Sequence, residues 1–134
     1  LNMSVDVVVV PTVREPDGLA LSSRNTFLSA EQRRRALAIS RGLLAAEAAF
    51  RDGERDAARL LALARAPLAE LDSVQYCELV DAQNLEPVVG KVNRTCGLAV
   101  AGYLGNTRLI DNVVLTLGAE ARDSGGSQPM PLLG

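Results

Sequence analysis

Two adjacent hydroxyl residues followed by an arginine are the first feature of this sequence that could do chemistry. Ser22, Ser23 and Arg24 lie shortly before a predicted helix, in a stretch at 11–25 that is rich in turn-forming residues. Hydroxyl and loop N–H groups donate hydrogen bonds, and a guanidinium can bind two phosphate oxygens at once. In a phosphoryl or nucleotidyl transfer, such donors stabilise the charge that grows in the transition state. The spacing alone also fits a serine-rich turn with a solvated arginine, because so short a motif often occurs by accident.

The composition excludes several other kinds of site. The sequence contains no histidine, so this chain alone cannot supply a Ser-His-Asp triad, a histidine–metal site or a histidine acid–base step. Its two cysteines are too few for a disulfide scaffold or a cysteine-only zinc site, and we expect Cys77 and Cys96 to be buried free thiols on neighbouring strands. The net charge of −2 argues against nucleic acid as a partner.

The apolar pattern argues against a membrane partner. The longest strongly apolar run, at residues 7–10, is too short to cross a bilayer. The first residues lack the basic region and the layout of a signal peptide. We therefore expect a cytoplasmic location.

The elements that must position these residues follow from periodicity and capping signals. The 134 residues, 48% of them apolar, suit one domain of ordinary size. Ser29 and Gln32 fit a capping box at a helix start, and Pro67 predicts a kink or an early end in the next helix. The separation of helices from later strands predicts an α+β fold, with a helix pair packed on a small three-stranded antiparallel sheet. The predicted helices are 30–52 and 54–70, and the predicted strands are 5–10, 74–81, 96–104 and 107–117, the last two joined by a tight hairpin.

Two segments resemble the pantothenate synthetase (pantoate–β-alanine ligase) family. Residues 10–25, VPTVREPDGLALSSRN, resemble the signature segment of the family, and residues 105–112, GNTRLIDN, resemble a second segment near its C-terminus. The similarity is strongest to actinobacterial members. The resemblance implies an enzyme in which ATP and pantoate form pantoyl adenylate with the help of Mg²⁺. β-Alanine then attacks the adenylate, which gives pantothenate and AMP.

The resemblance also implies roles for individual residues. The Ser-Ser-Arg motif corresponds to the KMSKS loop of class I aminoacyl-tRNA synthetases, so Ser22, Ser23 and Arg24 would contact the ATP phosphates. Val10 and Val13 would lie against the adenine. Leu21 falls where many relatives have methionine, next to the nucleotide. The resemblance assigns no catalytic residue to this chain in isolation and no metal ligand.

The resemblance implies a division of the chain. Residues 1–25 would be the last strand and the KMSKS-like loop of a Rossmann-like nucleotidylyl-transferase domain, residues 26–117 a lid-like C-terminal domain, and residues 118–134 a disordered tail. The chain has no counterpart of the family's HIGH-type histidines. We therefore expect a C-terminal fragment that is inactive alone, from a full-length enzyme that is a homodimer. The alternative is a stand-alone α+β binding module without catalysis.

Two further groups of polar residues have competing interpretations. The run Arg33, Arg34 and Arg35 could bind nucleic acid or phosphate, but a solvated helix face is the interpretation that the net charge favours. Asp111 could act as a base, and Asn112 lies beside it. An Asp-Asn pair near a hairpin more often makes local side-chain-to-backbone hydrogen bonds, which is what we predict here.

Overall fold

Two helices lie against one face of a three-stranded antiparallel sheet in the computed structural model, which describes residues 12–117. The predicted α+β arrangement is therefore confirmed. The predicted strand 5–10 and the predicted tail 118–134 fall outside the described residues, and the division at residue 25 remains a prediction. The elements are a 3₁₀ turn Ser23–Phe27, helix α1 Ala30–Arg51, helix α2 Ala57–Arg65, a 3₁₀ turn Ala66–Glu70, and strands β1 Ser73–Asp81, β2 Cys96–Leu104 and β3 Thr107–Leu115.

Helix α1 begins and ends at the signals that the sequence carries. The Ser29 hydroxyl accepts from the Gln32 N–H at 3.1 Å, and the Gln32 side chain accepts from the Ser29 N–H at 3.0 Å. This reciprocal pair satisfies two backbone donors that the first helical turn leaves free. At the other end Gly53 has a φ of 111°, which a residue with a side chain rarely adopts. The predicted helix 30–52 is thus confirmed to within one residue.

Helix α2 begins later than predicted. The sequence predicted a start near Glu54, but Asp56 is the N-cap and its carboxylate accepts from the Ala58 N–H at 3.0 Å. The aspartate fixes the start because it supplies an acceptor to a free backbone donor. The predicted disturbance at Pro67 is confirmed, since the α-helix ends at Arg65 and a 3₁₀ turn follows. Proline has no N–H to continue the helical hydrogen bonding.

The sheet has the order β1-β2-β3, so β2 is central and β3 is an edge strand within residues 12–117. The predicted hairpin is confirmed: Leu104 pairs with Thr107 across a two-residue turn, in which Gly105 has a φ of 58°. β3 ends at Leu115, two residues before the predicted end. One irregularity, between Val74 and Tyr76, interrupts the pairing of β1 with β2.

The core lies between the helices and one face of the sheet. Both thiols, Cys77 and Cys96, are buried in it and free, as predicted. Gly42 on α1 lies directly against the backbone of Ala64 on α2, where a methyl group would meet the Ala64 carbonyl. The helices can therefore approach closely at this point. The α1 side chains that face the core have the predicted spacing, and they are Ala36, Ile39, Leu43, Ala46 and Phe50.

Candidate functional site

Loop 12–25 is folded back on itself beside β3. The Leu21 N–H donates to the Val13 carbonyl at 2.8 Å, and residues Arg14 and Ala20 form an antiparallel bridge. Gly18 closes the turn with a φ of 99°, and its N–H donates to the Glu15 carbonyl at 2.8 Å. The predicted loop is thus ordered by its own backbone hydrogen bonds.

One ion pair joins this loop to β3. The two terminal nitrogens of Arg14 donate to the two carboxylate oxygens of Asp111, at 2.6 and 3.0 Å. Asp111 is 6% exposed, and burial raises the pKa of its carboxyl although the hydrogen bonds from Arg14 oppose that shift. The predicted local bond exists too, since the Asn112 N–H donates to Asp111 at 2.7 Å. The prediction was nevertheless incomplete, because the main partner of Asp111 lies 97 residues away.

Arg33 of α1 makes a second connection to the loop. Its Nε donates to an Asp17 carboxylate oxygen at 3.1 Å, and its terminal nitrogen contacts Glu15. Hydrogen bonds from Asn25 and Arg33 lower the pKa of Glu15. The pKa of Asp17 is lowered mainly by a hydrogen bond from the Leu19 N–H and, to a smaller extent, by Arg33. Carboxylates that accept such bonds remain charged to lower pH.

The arginine run is therefore not simply a solvated helix face. Arg34 is exposed and pairs with Glu31 at 2.5 Å, which agrees with that prediction. Arg33 and Arg35 depart from it, because both are half-buried and paired; Arg35 contacts Asp72 at 2.9 Å. Carboxylates from other parts of the chain neutralise these two arginines, a long-range pairing that no local pattern encodes.

Asn25 directly follows the Ser-Ser-Arg turn and binds it to other parts of the loop. The side chain is 7% exposed, and its Nδ2 donates to Glu15 at 2.8 Å and to the Ala20 carbonyl at 3.0 Å. Its Oδ1 is buried without a hydrogen-bond partner among residues 12–117. Our site prediction did not include Asn25, and its position as the last residue of the resembling segment was the one available signal.

The predicted phosphate-binding residues lie on the exposed side of the loop. Ser22, Ser23 and Arg24 are all exposed, and the Ser22 hydroxyl accepts from the Arg24 N–H at 3.1 Å. The Arg24 side chain has no ion-pair partner among residues 12–117, in contrast to Arg14 and Arg33. Its charge is thus available to an anion.

Two of the predicted adenine-side residues are exposed next to this turn. The side chains of Val13 and Leu21 are 66% and 62% exposed, and their backbones are hydrogen-bonded to each other. Val10 lies outside the described residues. The structure therefore brings Val13 and Leu21 together with Ser22–Arg24 on one loop, and it does not test the position of Val10.

A cleft of about 140 Å³ lies between the loop, α1 and β3. Arg108, which our site prediction did not include, lines this cleft together with Arg24, and its Nε donates to Gln75 at 2.8 Å. Typical ligand pockets are roughly 300–1,000 Å³, so this cleft alone holds only part of a nucleotide. Its other lining residues are Leu19, Ala20, Leu21, Ser22, Asn25, Ile39, Leu109, Ile110 and Asp111.

The described residues offer no metal centre of their own. Within residues 12–117, no group of three or more His, Cys, Asp or Glu side chains is placed to hold a metal ion. Of the acidic residues near the turn, Glu15 and Asp17 are bound by Arg33, and Asp111 is bound by Arg14.

Within residues 12–117, no helix has the length and apolar character needed to span a bilayer.

Comparison with known proteins decides the family. The family model described as pantoate-beta-alanine ligase matches residues 1–114. The chain belongs to the pantoate–β-alanine ligase family. The resemblance of 10–25 and 105–112 to that family is thereby confirmed, while the actinobacterial affinity stays a prediction.

Relatives within the pantoate–β-alanine ligase family are similar over most of this chain. Pantothenate synthetase 1 of Bradyrhizobium diazoefficiens is 57% identical over 116 residues, which cover 87% of this chain and 41% of the relative. Pantothenate synthetase of Myxococcus xanthus is 50% identical over 117 residues, which cover 86% of this chain and 40% of the relative. A crystal structure of the enzyme from Thermus thermophilus is similar with a TM-score of 0.72 and 37% identity, over 81% of this chain and 40% of that one. The chain therefore spans about two fifths of the length of these relatives.

Proposed function

We propose that this chain supplies the phosphate-binding loop of an ATP-dependent pantoate–β-alanine ligase. In the first step the pantoate carboxylate would attack the α-phosphorus of ATP, so that pyrophosphate leaves and pantoyl adenylate forms. In the second step the amine of β-alanine would attack the acyl carbon, so that AMP leaves and pantothenate forms. The observation that carries the proposal is the exposed turn Ser22–Arg24, whose arginine has no carboxylate partner among residues 12–117.

The hydrogen-bonding state of the turn supports a role in binding phosphate. A serine hydroxyl can accept and donate at once. The Ser22 hydroxyl accepts from the Arg24 N–H, so its own proton is still available to a phosphate oxygen. Ser23 presents a second hydroxyl, and the Arg24 guanidinium can make a charge-assisted bond. Donors fixed in this way would stabilise the charge that develops on the leaving pyrophosphate.

The neighbouring apolar side chains support a place for the adenine. Val13 and Leu21 expose most of their surface beside the turn. Covering apolar surface with an aromatic base is favourable because it removes that surface from water. We propose that both side chains contact the adenine, and that Val10 does so from outside the described residues.

The rest of the reaction needs groups that this chain does not offer. The sequence has no histidine, and residues 12–117 do not fit a protein-held Mg²⁺ site, so the proposal gives the metal no ligand in this part of the chain. We propose that the region corresponding to 26–117 closes as a lid over ATP bound to another domain, which would exclude water from the adenylate. The chain alone would then be inactive. A homodimeric full-length enzyme and a cytoplasmic location remain predictions.

A chimera tests the proposal. Residues 1–114 of this chain would replace the matching region of the Bradyrhizobium relative, and pantoate-dependent ATP–pyrophosphate exchange and pantothenate formation would be measured. The chimera should be active, whereas this chain alone and the relative without its matching region should both be inactive. A folded chimera without exchange activity would overturn the proposed ligase function. Exchange by this chain alone would overturn the proposal that it is inactive.

The same experiment separates the ligase from a stand-alone binding module. Calorimetric titration of this chain with ATP gives the second readout. Tight ATP binding by the chain together with an inactive chimera would favour the binding module. Weak or absent binding together with an active chimera would favour the ligase, because most of the nucleotide pocket would then come from elsewhere.

A further inference from the structure

Asp111 places a buried carboxylate on β3, where this strand meets loop 12–25. Its side chain is 3% exposed and that of its partner Arg14 is 18% exposed. The pair is bidentate, and the Asn112 N–H donates to the same carboxylate at 2.7 Å. Removal of one member of such a pair is strongly destabilising, because the other charge stays buried without compensation. Replacement of either member would therefore leave a charge without its partner at the contact between the loop and β3.

Arg14 connects this fixed point to the phosphate-binding turn. The same Arg14 nitrogen that binds Asp111 also donates to the Gly18 carbonyl at 3.1 Å, across the turn of the loop. The backbone of Arg14 bridges that of Ala20, which lies two residues before Ser22. Through these contacts, a displacement of Arg14 would move both sides of the loop and with them residues 22–24.

We propose that Asp111 is a positioning residue, which acts through Arg14 to hold Ser22–Arg24 in a fixed orientation relative to the sheet. The turn would then move with the sheet as one body when the enzyme closes, and it would need no separate ordering when the nucleotide binds. Binding to pre-organised donors costs less conformational entropy than binding to mobile donors, which must first be ordered. The effect on ATP rests on the proposed function, whereas the effect on the loop does not.

Hydrogen exchange of this chain tests the effect on the loop. Asp111→Asn removes the charge while keeping the size of the side chain, and exchange in 19–25 should become at least roughly tenfold faster relative to β2. A general loss of stability would instead accelerate both regions by the same factor. Asp81→Asn is the matched control, because Asp81 is similarly buried, at 7% exposed, and binds Arg94 and the 83–84 amides outside the loop. This control should leave the 19–25 to β2 ratio unchanged.

A double variant tests whether Arg14 carries the effect. If Asp111 acts through Arg14, the Arg14→Gln/Asp111→Asn variant should perturb the exchange of 19–25 no more than either single variant does. Such non-additivity is the signature of two groups that act as a unit. Additive effects would overturn the proposed route from Asp111 to the loop, and an unchanged exchange ratio in Asp111→Asn would overturn the proposal entirely.

Kinetics of the chimera test the consequence for the nucleotide. In Asp111→Asn the kcat/KM for ATP should fall between roughly tenfold and a hundredfold, because the donors are misplaced, while the KM for β-alanine stays unchanged. Loosening of the loop without an effect on ATP would overturn the positioning role, provided that Arg24→Ala in the same chimera does impair ATP use. If Arg24→Ala also has no effect, the assignment of the loop to ATP is wrong, and only the attachment of the loop to β3 remains.

Discussion

Arg33 on α1 is bound to Asp17 at the tip of the loop, with its Nε 3.1 Å from one carboxylate oxygen. The same guanidinium also contacts Glu15, so a single arginine holds two loop carboxylates to the helix. Together with Arg14, which binds the loop to β3, it attaches the loop to two different elements.

Replacement of Arg33 should lower the stability of the chain, and it should make that stability less dependent on pH. The pKa values of Glu15 and Asp17 lie below their ordinary values of 4.5 and 3.8, so their contribution to stability is present above those values and is lost as the pH falls through the lowered ones. Arg33→Gln should therefore lower the Tm at pH 7, and the difference from wild type should shrink as the pH falls below about 4. Arg34→Gln is the control, since its exposed pair with Glu31 should contribute little. A constant Tm difference for Arg33→Gln at all pH values would contradict the prediction.

Local signals in the sequence were sufficient to predict the fold, but they did not predict which residues attach the loop to the rest of the chain. The capping box of Ser29 and Gln32 predicts the start of α1 because both partners lie within one helical turn. The bond between Arg14 and Asp111 joins residues 97 positions apart, and no periodicity specifies such a pairing. No local pattern predicts the role of Asn25 either, because its hydrogen-bond partners approach it only once the loop has folded back on itself.

Arg24 should matter for catalysis rather than for folding. In the chimera, Arg24→Ala should lower kcat and kcat/KM together, by roughly tens- to a thousandfold, if the guanidinium acts mainly in the transition state. The Tm should stay close to that of the parent, since the side chain has no ion-pair partner among residues 12–117. Arg59→Ala is the matched control, because Arg59 is an exposed arginine of α2 with only a 3.9 Å contact to Asp56. Normal turnover in Arg24→Ala would show that the residue does not act on the nucleotide.

Gly42 should not tolerate even one additional methyl group. In an exposed helix, replacement of glycine by alanine stabilises by roughly 1 kcal/mol. At this position the methyl group would meet the Ala64 carbonyl, so α1 and α2 would have to separate. Gly42→Ala should therefore destabilise the chain by roughly 1–3 kcal/mol, as measured by urea unfolding. A variant that is more stable than wild type would show that the helices can separate at no cost.

The two buried thiols should make the chain sensitive to alkaline pH. Burial raises the pKa of Cys77 and of Cys96 from 9.0 to about 11. Well below pH 9 each thiol is protonated in the folded and unfolded chains alike, so there neither affects the pH dependence. Between pH 9 and 11 the unfolded chain releases protons that the folded chain retains, and stability falls as the pH rises, by up to roughly 3 kcal/mol for each thiol.

Urea unfolding of wild type and of a Cys77→Ala/Cys96→Ala variant across this pH range checks the effect. The variant will be less stable near neutral pH because two buried side chains are shortened. Its free energy of unfolding should nevertheless decline less steeply above pH 9 than that of wild type, because the remaining ionisable groups are the same in both chains. Parallel declines would show that the thiols ionise in the folded chain as readily as in the unfolded one, and that their burial does not raise their pKa.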